Sequence, residues 1–227
     1  MDGGEKTIWI IANWKSNKTI SEALDWISKV GPKLPKKDNL KVVVCPSFSC
    51  LSELKKTIQV GNFPIMLGAQ DLSPFGVGAY TGEESASLLK ELVDLSIVGH
   101  SERRENFAET DQMIGQKVQQ ATQNNITALV CVQGADTPIP DGCKFIAYEP
   151  VFAIGTGVPD TPENANNIAT VLKEKHNHDL EVLYGGSINS SNIKSFITQA
   201  NISGVLVGNA SLQPEEFVKI CEFSEKV

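Results

Sequence analysis

Glu149 closes the apolar run Phe145-Ile146-Ala147-Tyr148 and is followed at once by Pro150 and a small-residue tail, Ala153-Ile154-Gly155-Thr156-Gly157. A carboxylate at the end of a rigid run is suited to proton transfer, because it can be aimed. Proline's fixed φ makes a stiff start for the loop that follows. Four other apolar runs stop in the same manner. One ends Ala12-Asn13-Trp14-Lys15, a second Val98-Gly99-His100-Ser101-Glu102-Arg103-Arg104, a third Tyr184-Gly185-Gly186-Ser187 and a fourth Val207-Gly208-Asn209-Ala210-Ser211. Together they supply a carboxylate, an imidazole, an ammonium and glycine-flanked main chain. These are parts for acid–base chemistry on a small ligand, provided that distant stretches converge.

Convergence depends on the elements that carry them. Short β-branched runs at 8–13, 41–45, 65–70, 95–100, 126–132, 144–149, 181–184 and 204–208 are apolar nearly throughout, as expected of parallel strands covered on both faces. Amphipathic segments at 20–30, 49–58, 83–92, 111–124, 162–176, 192–199 and 214–226 alternate with them. Thr161-Pro162-Glu163 reads as an N-cap with proline at the first helical position, and Gln213-Pro214-Glu215-Glu216 as an acidic first turn. No linker or low-complexity tract divides the chain, so residues 1–227 read as one α/β domain. Eight strand candidates favour a closed (β/α)8 barrel over an open doubly wound sheet. In such a barrel the polar strand ends meet at one mouth.

Composition narrows the partners. Twenty Lys and Arg against 27 Asp and Glu leave a net charge of −7, which argues against nucleic acid and anionic membrane. A local field can still attract a small anion. No apolar run reaches the ~18 residues of a membrane span, and the opening Met1-Asp2-Gly3-Gly4-Glu5-Lys6 is too polar for a signal peptide. The five cysteines, Cys45, Cys50, Cys131, Cys143 and Cys221, are odd in number and form no CxxC pair, so reduced thiols in a cytoplasmic protein are expected, with no zinc site. His176 and His178 read as solvated residues at a helix end.

The motifs Asn13-Trp14-Lys15, Ala79-Tyr80-Thr81-Gly82-Glu83, the stretch 99–104, the stretch 147–157, Tyr184-Gly185-Gly186-Ser187 and the stretch 206–212 closely resemble the triosephosphate isomerase family, over nearly the whole chain. The resemblance implies interconversion of dihydroxyacetone phosphate and D-glyceraldehyde 3-phosphate through an enediol(ate), in glycolysis and gluconeogenesis, with no metal or organic cofactor. It implies Glu149 as the base, His100 as a neutral electrophile at a helix N-terminus, and Lys15 as the cation that offsets substrate charge. Asn13 then donates to the substrate oxygen and Glu102 orients Lys15. Phosphate falls to main-chain donors around Ser187, Gly208 and Asn209, joined by Gly155 from a lid at 151–156. Arg103 and Arg104 are expected to bridge neighbouring loops. Asn209 stands where the family most often has glycine, so a left-handed backbone is a concern there. Phe152 replaces the family's usual tryptophan, and Val158 stands where lysine is common. The long loop after the third strand, 70–81, implies a homodimer in which Thr81 supports the partner's site.

Two other readings stay open. A different phosphate-binding barrel isomerase or lyase would share the glycines but would not need Asn13, Lys15, His100 and Glu149 together. A non-catalytic paralogue would be expected to show a broken set, which the sequence does not. One feature departs from the family. Only 11 residues, 133–143, separate the fifth and sixth strands, with Gly134, Pro138, Pro140 and Gly142 among them. They cannot make a normal crossover helix. Fully extended they reach about 36 Å, more than the ~17–20 Å of a strand, so a strap can still return the chain and let the barrel close. Unless the strap or its neighbours cover the outer faces, Ile126, Leu129 and Phe145 are expected to contribute to an exposed apolar patch.

Overall fold

A computed structural model describes residues 6–154, 157–176 and 178–224. Eight parallel strands close into a barrel in sequence order: β1 (Ile8–Asn13), β2 (Leu40–Cys45), β3 (Met66–Ala69), β4 (Leu95–Val98), β5 (Thr127–Val132), β6 (Phe145–Tyr148), β7 (Glu181–Tyr184) and β8 (Gly204–Val207). The seam is sealed by β1 against β8, with Ile11 opposite Leu206 and Ala12 opposite Val207. Gly204 makes that seam possible. Its φ is +155°, and a Cβ there would lie 2.0 Å from the Trp9 carbonyl oxygen.

Period-two alternation divides each strand between two cores. Ile11, Val43, Cys45, Leu95, Ile97, Leu129, Cys131, Phe145, Ala147, Leu183 and Leu206 fill the barrel interior. Their strand neighbours, such as Ile10, Val44, Val130, Ile146 and Val182, face outward to the helices. Those helices are α1 (Ile20–Val30), α2 (Leu51–Gly61), α3 (Ala86–Leu89), α4 (Ser101–Phe107), α5 (Asp111–Gln123), α6 (Pro162–Lys175), α7 (Ile193–Ile197) and α8 (Pro214–Ser224). In α1 the apolar stripe Ala23, Trp26, Ile27 and Val30 is buried, while Thr19 and Glu22 form a reciprocal capping box at its start. Thr110 and Thr161 cap α5 and α6, and Pro162 occupies the first turn of α6. Several segments are shorter than their amphipathic pattern. Residues 83–92 shrink to the four of α3, and the ends of the 65–70 and 95–100 runs leave the sheet to form the barrel mouth.

Between β5 and β6 residues 133–143 form turns and bends with no helix, while β5 and β6 remain paired from Val130–Ile146 to Val132–Tyr148. The strap is self-supporting at its start, where the Gln133 and Gly134 N–H groups both donate to Thr137 Oγ1. It is tied to α6 by Lys175, whose Nζ lies 2.8 Å from Asp136 Oδ1 and 3.1 Å from the Ala135 carbonyl. Ile139 and Cys143 pack on the outer core. The apolar patch expected if the outer faces stayed uncovered does not form at the three positions named above: Ile126, Leu129 and Phe145 are 3%, 0% and 5% exposed. Leu129 and Phe145 face the barrel interior, and the Phe145 ring lies against Trp9 at its floor.

A buried ionic cluster fastens the loop after β3. Lys117 Nζ lies 2.6 Å from Asp71 Oδ1 and 2.9 Å from Glu109 Oε1, and Arg103 reaches Asp71 at 2.8 Å and Glu109 at 2.7 Å. Arg104 bonds the Gly99 carbonyl at 2.9 Å and Asp111 at 2.6 Å. Both arginines therefore bridge neighbouring segments.

Candidate active site

The interior side of four strands runs on, two residues at a time, into the mouth of the barrel. Ile11 leads to Asn13 and Lys15, Ala147 to Glu149, Leu183 to Gly185 and Leu206 to Gly208. On β4 the same step from Ile97 falls on Gly99. Its φ of +71° turns the chain, and His100 lines the mouth instead. The result is a cleft of about 390 Å³ lined by Asn13, Lys15, His100, Ile154, Glu149 and Gly157 together with the main chain around Gly185–Asn189 and Gly208–Ala210.

Lys15 is held in a strained backbone, φ 53°. Its N–H donates to Asn13 Oδ1 at 3.1 Å, and its carbonyl accepts from Gln70 Nε2 at 2.9 Å. Gln70 also donates to the Cys45 carbonyl, so β2 and β3 jointly support the turn. The Lys15 ammonium pairs with the Glu102 carboxylate on α4.

His100 is the N-cap of α4. Its Nδ1 accepts the Glu102 N–H at 3.2 Å, which leaves the ring proton of the neutral imidazole on Nε2. Nε2 lies 3.1 Å from Glu149 Oε1. The other oxygen of Glu149 accepts the Ser101 N–H at 3.2 Å. Glu149 is only 1% exposed. Burial pushes its carboxyl above the ordinary carboxylate range, and the adjacent His100 imidazole, the Ser101 N–H, the Cys131 thiol beside it and Lys15 oppose that shift. The Cys131 thiol is itself pushed up, first by burial and then by Glu149. Gly185 leaves room for the Glu149 side chain, since a Cβ there would lie 2.8 Å from Glu149 Cγ.

Pro150, φ −62°, begins the loop, and a single 3-10 turn spans Val151–Ala153. Ser187 joins the two sides of the loop to the β7 end: its Oγ donates to the Ala153 carbonyl at 2.7 Å and accepts the Gly157 N–H at 3.2 Å. Phe152 and Val158 are 61% and 64% exposed. Gly155 lies outside the described residues.

Of the residues singled out in the sequence, Asn13, Lys15, His100, Glu149, Ser187, Gly208 and Asn209 share this cleft, and Glu102 braces it. Thr81 is exposed on the loop between β3 and α3, outside the lining of the cleft. The concern over Asn209 is removed. It is not among the positive-φ residues but opens the 3-10 turn Asn209–Leu212 in an ordinary right-handed conformation. Gln70 and Cys131 escaped the sequence reading. Gln70 follows directly on β3, a position of the same kind as Asn13 or Glu149, and that was the available signal.

A buried carboxylate hydrogen-bonded to an imidazole, beside an ammonium and a glycine-rich rim, can move a proton on carbon and stabilise the anion that results. The family model for triosephosphate isomerase matches residues 8–138 and 141–224. The chain is 38% identical over 244 aligned positions to triosephosphate isomerase of Dehalococcoides mccartyi strain BAV1, covering 95% of this chain and 96% of that protein. It is likewise 38% identical to the triosephosphate isomerase of Mesomycoplasma hyopneumoniae strain 7448, covering 93% and 97%. The crystal structure of triosephosphate isomerase from Bartonella henselae superposes with a TM-score of 0.83 at 29% identity, covering 96% of this chain and 99% of that one. The chain belongs to the triosephosphate isomerase family, the isomerases of glycolysis that interconvert dihydroxyacetone phosphate and glyceraldehyde 3-phosphate.

Proposed function

We propose that Glu149 is the proton-transferring base of this isomerisation, His100 its electrophile and Lys15 its fixed cation. The single observation that carries the assignment is the Glu149–His100 pair, 3.1 Å apart at the bottom of the shared cleft. With dihydroxyacetone phosphate bound, Glu149 takes a proton from C1. The C1–H electron pair forms the C1–C2 double bond, and the C2 carbonyl oxygen becomes anionic. The His100 Nε2 proton and the Lys15 ammonium stabilise that oxygen. After the proton on the C1 oxygen shifts to the C2 oxygen, Glu149 returns its proton to C2 and the C1 carbonyl forms. Asn13, buried beside Lys15, donates from its side-chain amide to the substrate oxygen while its Oδ1 holds the Lys15 N–H.

Main-chain N–H groups of Ser187, Gly208 and Asn209 take the phosphate, with Gly155 closing from the loop. A dianion there is compatible with a chain of net charge −7, because local donors decide the field in a cleft. The test is isomerisation of dihydroxyacetone phosphate in deuterium oxide. The expected product carries deuterium at C2 when made by the native protein, with no label entering in the Glu149→Gln variant. Label entering at native rates in that variant removes Glu149 from the role.

The protein is also proposed to act as a homodimer in the cytoplasm. The loop 70–85 supports the dimer: it is anchored at Asp71, yet Phe75 and Tyr80 stack at 4.3 Å on its surface and Val77 is 74% exposed. Such an apolar tip suits insertion beside a partner's Lys15, with Thr81 bracing that site. The five unpaired cysteines fit a reducing compartment, and no helix among the described residues is long and apolar enough to cross a membrane. Light scattering at micromolar concentration is expected to give twice the chain mass. A fully active monomer contradicts the dimer.

A further inference from the structure

Past the loop that follows Glu149, Asp160 is 9% exposed although it carries a carboxylate. Three donors converge on it. Tyr148 OH donates to Oδ2 at 3.2 Å, Asn164 Nδ2 donates to Oδ2 at 2.7 Å, and the Thr161 N–H donates to Oδ1 at 2.8 Å. The Asp160 N–H in turn donates to Tyr184 OH at 2.7 Å.

The ordinary reading of such a residue is a cap for α6. That position is already filled, because Thr161 Oγ1 accepts the Asn164 N–H at 3.1 Å. The helix end accounts for the Thr161 and Asn164 contacts and for a favourable field on the carboxylate. It does not account for Tyr148, which is the last residue of β6 and directly precedes Glu149. Burying an oxygen beside a phenol costs free energy unless the two are bonded, and here they are. Burial and the neighbouring Asp160 push the Tyr148 hydroxyl above its ordinary range, so it stays protonated and donates. Tyr184, the last residue of β7, stacks on Phe196 at 4.1 Å and supports the glycine rim from below: a Cβ on Gly186 would lie 2.1 Å from its hydroxyl. The end of the loop is thus fastened to two strand ends of the cleft, one through the side chain of Asp160 and one through its main chain.

We propose that Asp160 is a positioning residue whose carboxylate ties the exit of the 150–160 loop to Tyr148, and through Tyr148 to the strand end that presents Glu149. The inference rests on Glu149 as the base. A Glu149→Gln protein that still turns over defeats that assignment, whereas the experiment below is read in enzyme whose dependence on Glu149 is intact. Steady-state kinetics and melting temperature are measured for Asp160→Ala, Asp160→Asn, Tyr148→Phe and the Asp160→Ala/Tyr148→Phe double variant. Each of Asp160→Ala and Tyr148→Phe is expected to lower kcat about tenfold with KM changed less than about threefold, because a displaced base is felt in the transition state. The double variant is expected to match Asp160→Ala, since both remove the same bond. Asp160→Asn keeps an oxygen for the Thr161 N–H and an amide that can donate to the Tyr148 oxygen, with the Asn164 amide turned over to present its oxygen in place of its NH2, so it is expected to recover most of the lost kcat. Independent, multiplying losses in the double variant overturn the proposal, as does kcat within about twofold of native in Asp160→Ala. If Asp160→Ala does not fold, Tyr148→Phe decides, because it deletes one hydroxyl: kcat within about twofold of native again overturns the proposal.

Discussion

His100 Nε2 and Glu149 Oε1 lie 3.1 Å apart, with the imidazole anchored from behind by the Glu102 N–H. The proposed base is therefore bonded to the proposed electrophile in the free protein. Because burial dominates the shift of the Glu149 carboxyl, its protonated form should persist above the ordinary value of 4.5. An infrared difference titration of native protein against Glu149→Gln reads this in the free enzyme. A protonated carboxyl band that vanishes at or below the ordinary range contradicts it.

The same shift has a consequence for stability. The folded protein holds the proton of Glu149 to higher pH than the unfolded chain does. In the window between the two values unfolding releases a proton, so stability falls as pH rises through it. Glutamine has no such titration. At neutral pH Glu149→Gln is therefore expected to melt above the native protein. The gap should close on acidification. A Glu149→Gln protein that melts below native at neutral pH goes against this reading.

Gly185 is predicted to be intolerant for a catalytic reason. In Gly185→Ala the new methyl meets Glu149 Cγ at 2.8 Å and the Tyr148 carbonyl at 3.3 Å, so the base must shift. A displacement of that order costs about 10²-fold in kcat. KM is expected to change far less. Native kcat in a folded Gly185→Ala protein would show that the carboxylate has slack.

Glu102 is expected to act through Lys15. The pair is partly exposed, with the lysine side chain 25% and the glutamate 42% accessible, so its worth as an ion pair is small. Its worth to turnover lies in orientation. Glu102→Gln should lower kcat/KM about tenfold while the melting temperature moves by less than about 2 °C. Equal losses of stability and activity would make the pair a structural one.

Much of this site is legible in the chain because strand parity is strict. Once Ile11, Ala147 and Leu206 are known to face inward, Asn13, Glu149 and Gly208 must face the mouth. Glycine at position 99, with its positive φ, explains why His100 breaks that count. The composition of 133–143 likewise excluded a helix, although it did not reveal which strand residues faced in: Leu129 and Phe145, read as outward, line the barrel interior. What stayed hidden needs partners distant in sequence. The role of Gln70 depends on a carbonyl 55 residues away, and Lys117 reads as a surface lysine until Asp71, 46 residues away, meets it in the interior. Asp160 has the look of a helix cap because the tyrosines that claim it end two other strands.

Turnover of Glu149→Gln, measured with inorganic phosphate inhibition in the same preparation, tests the central assignment most directly. Glutamine keeps the shape of the side chain and loses the proton acceptor. The account predicts kcat lower by about 10²–10⁴, the range for a positioned acid–base group, with the inhibition constant for phosphate changed by less than about threefold. Native turnover with intact phosphate inhibition would contradict it.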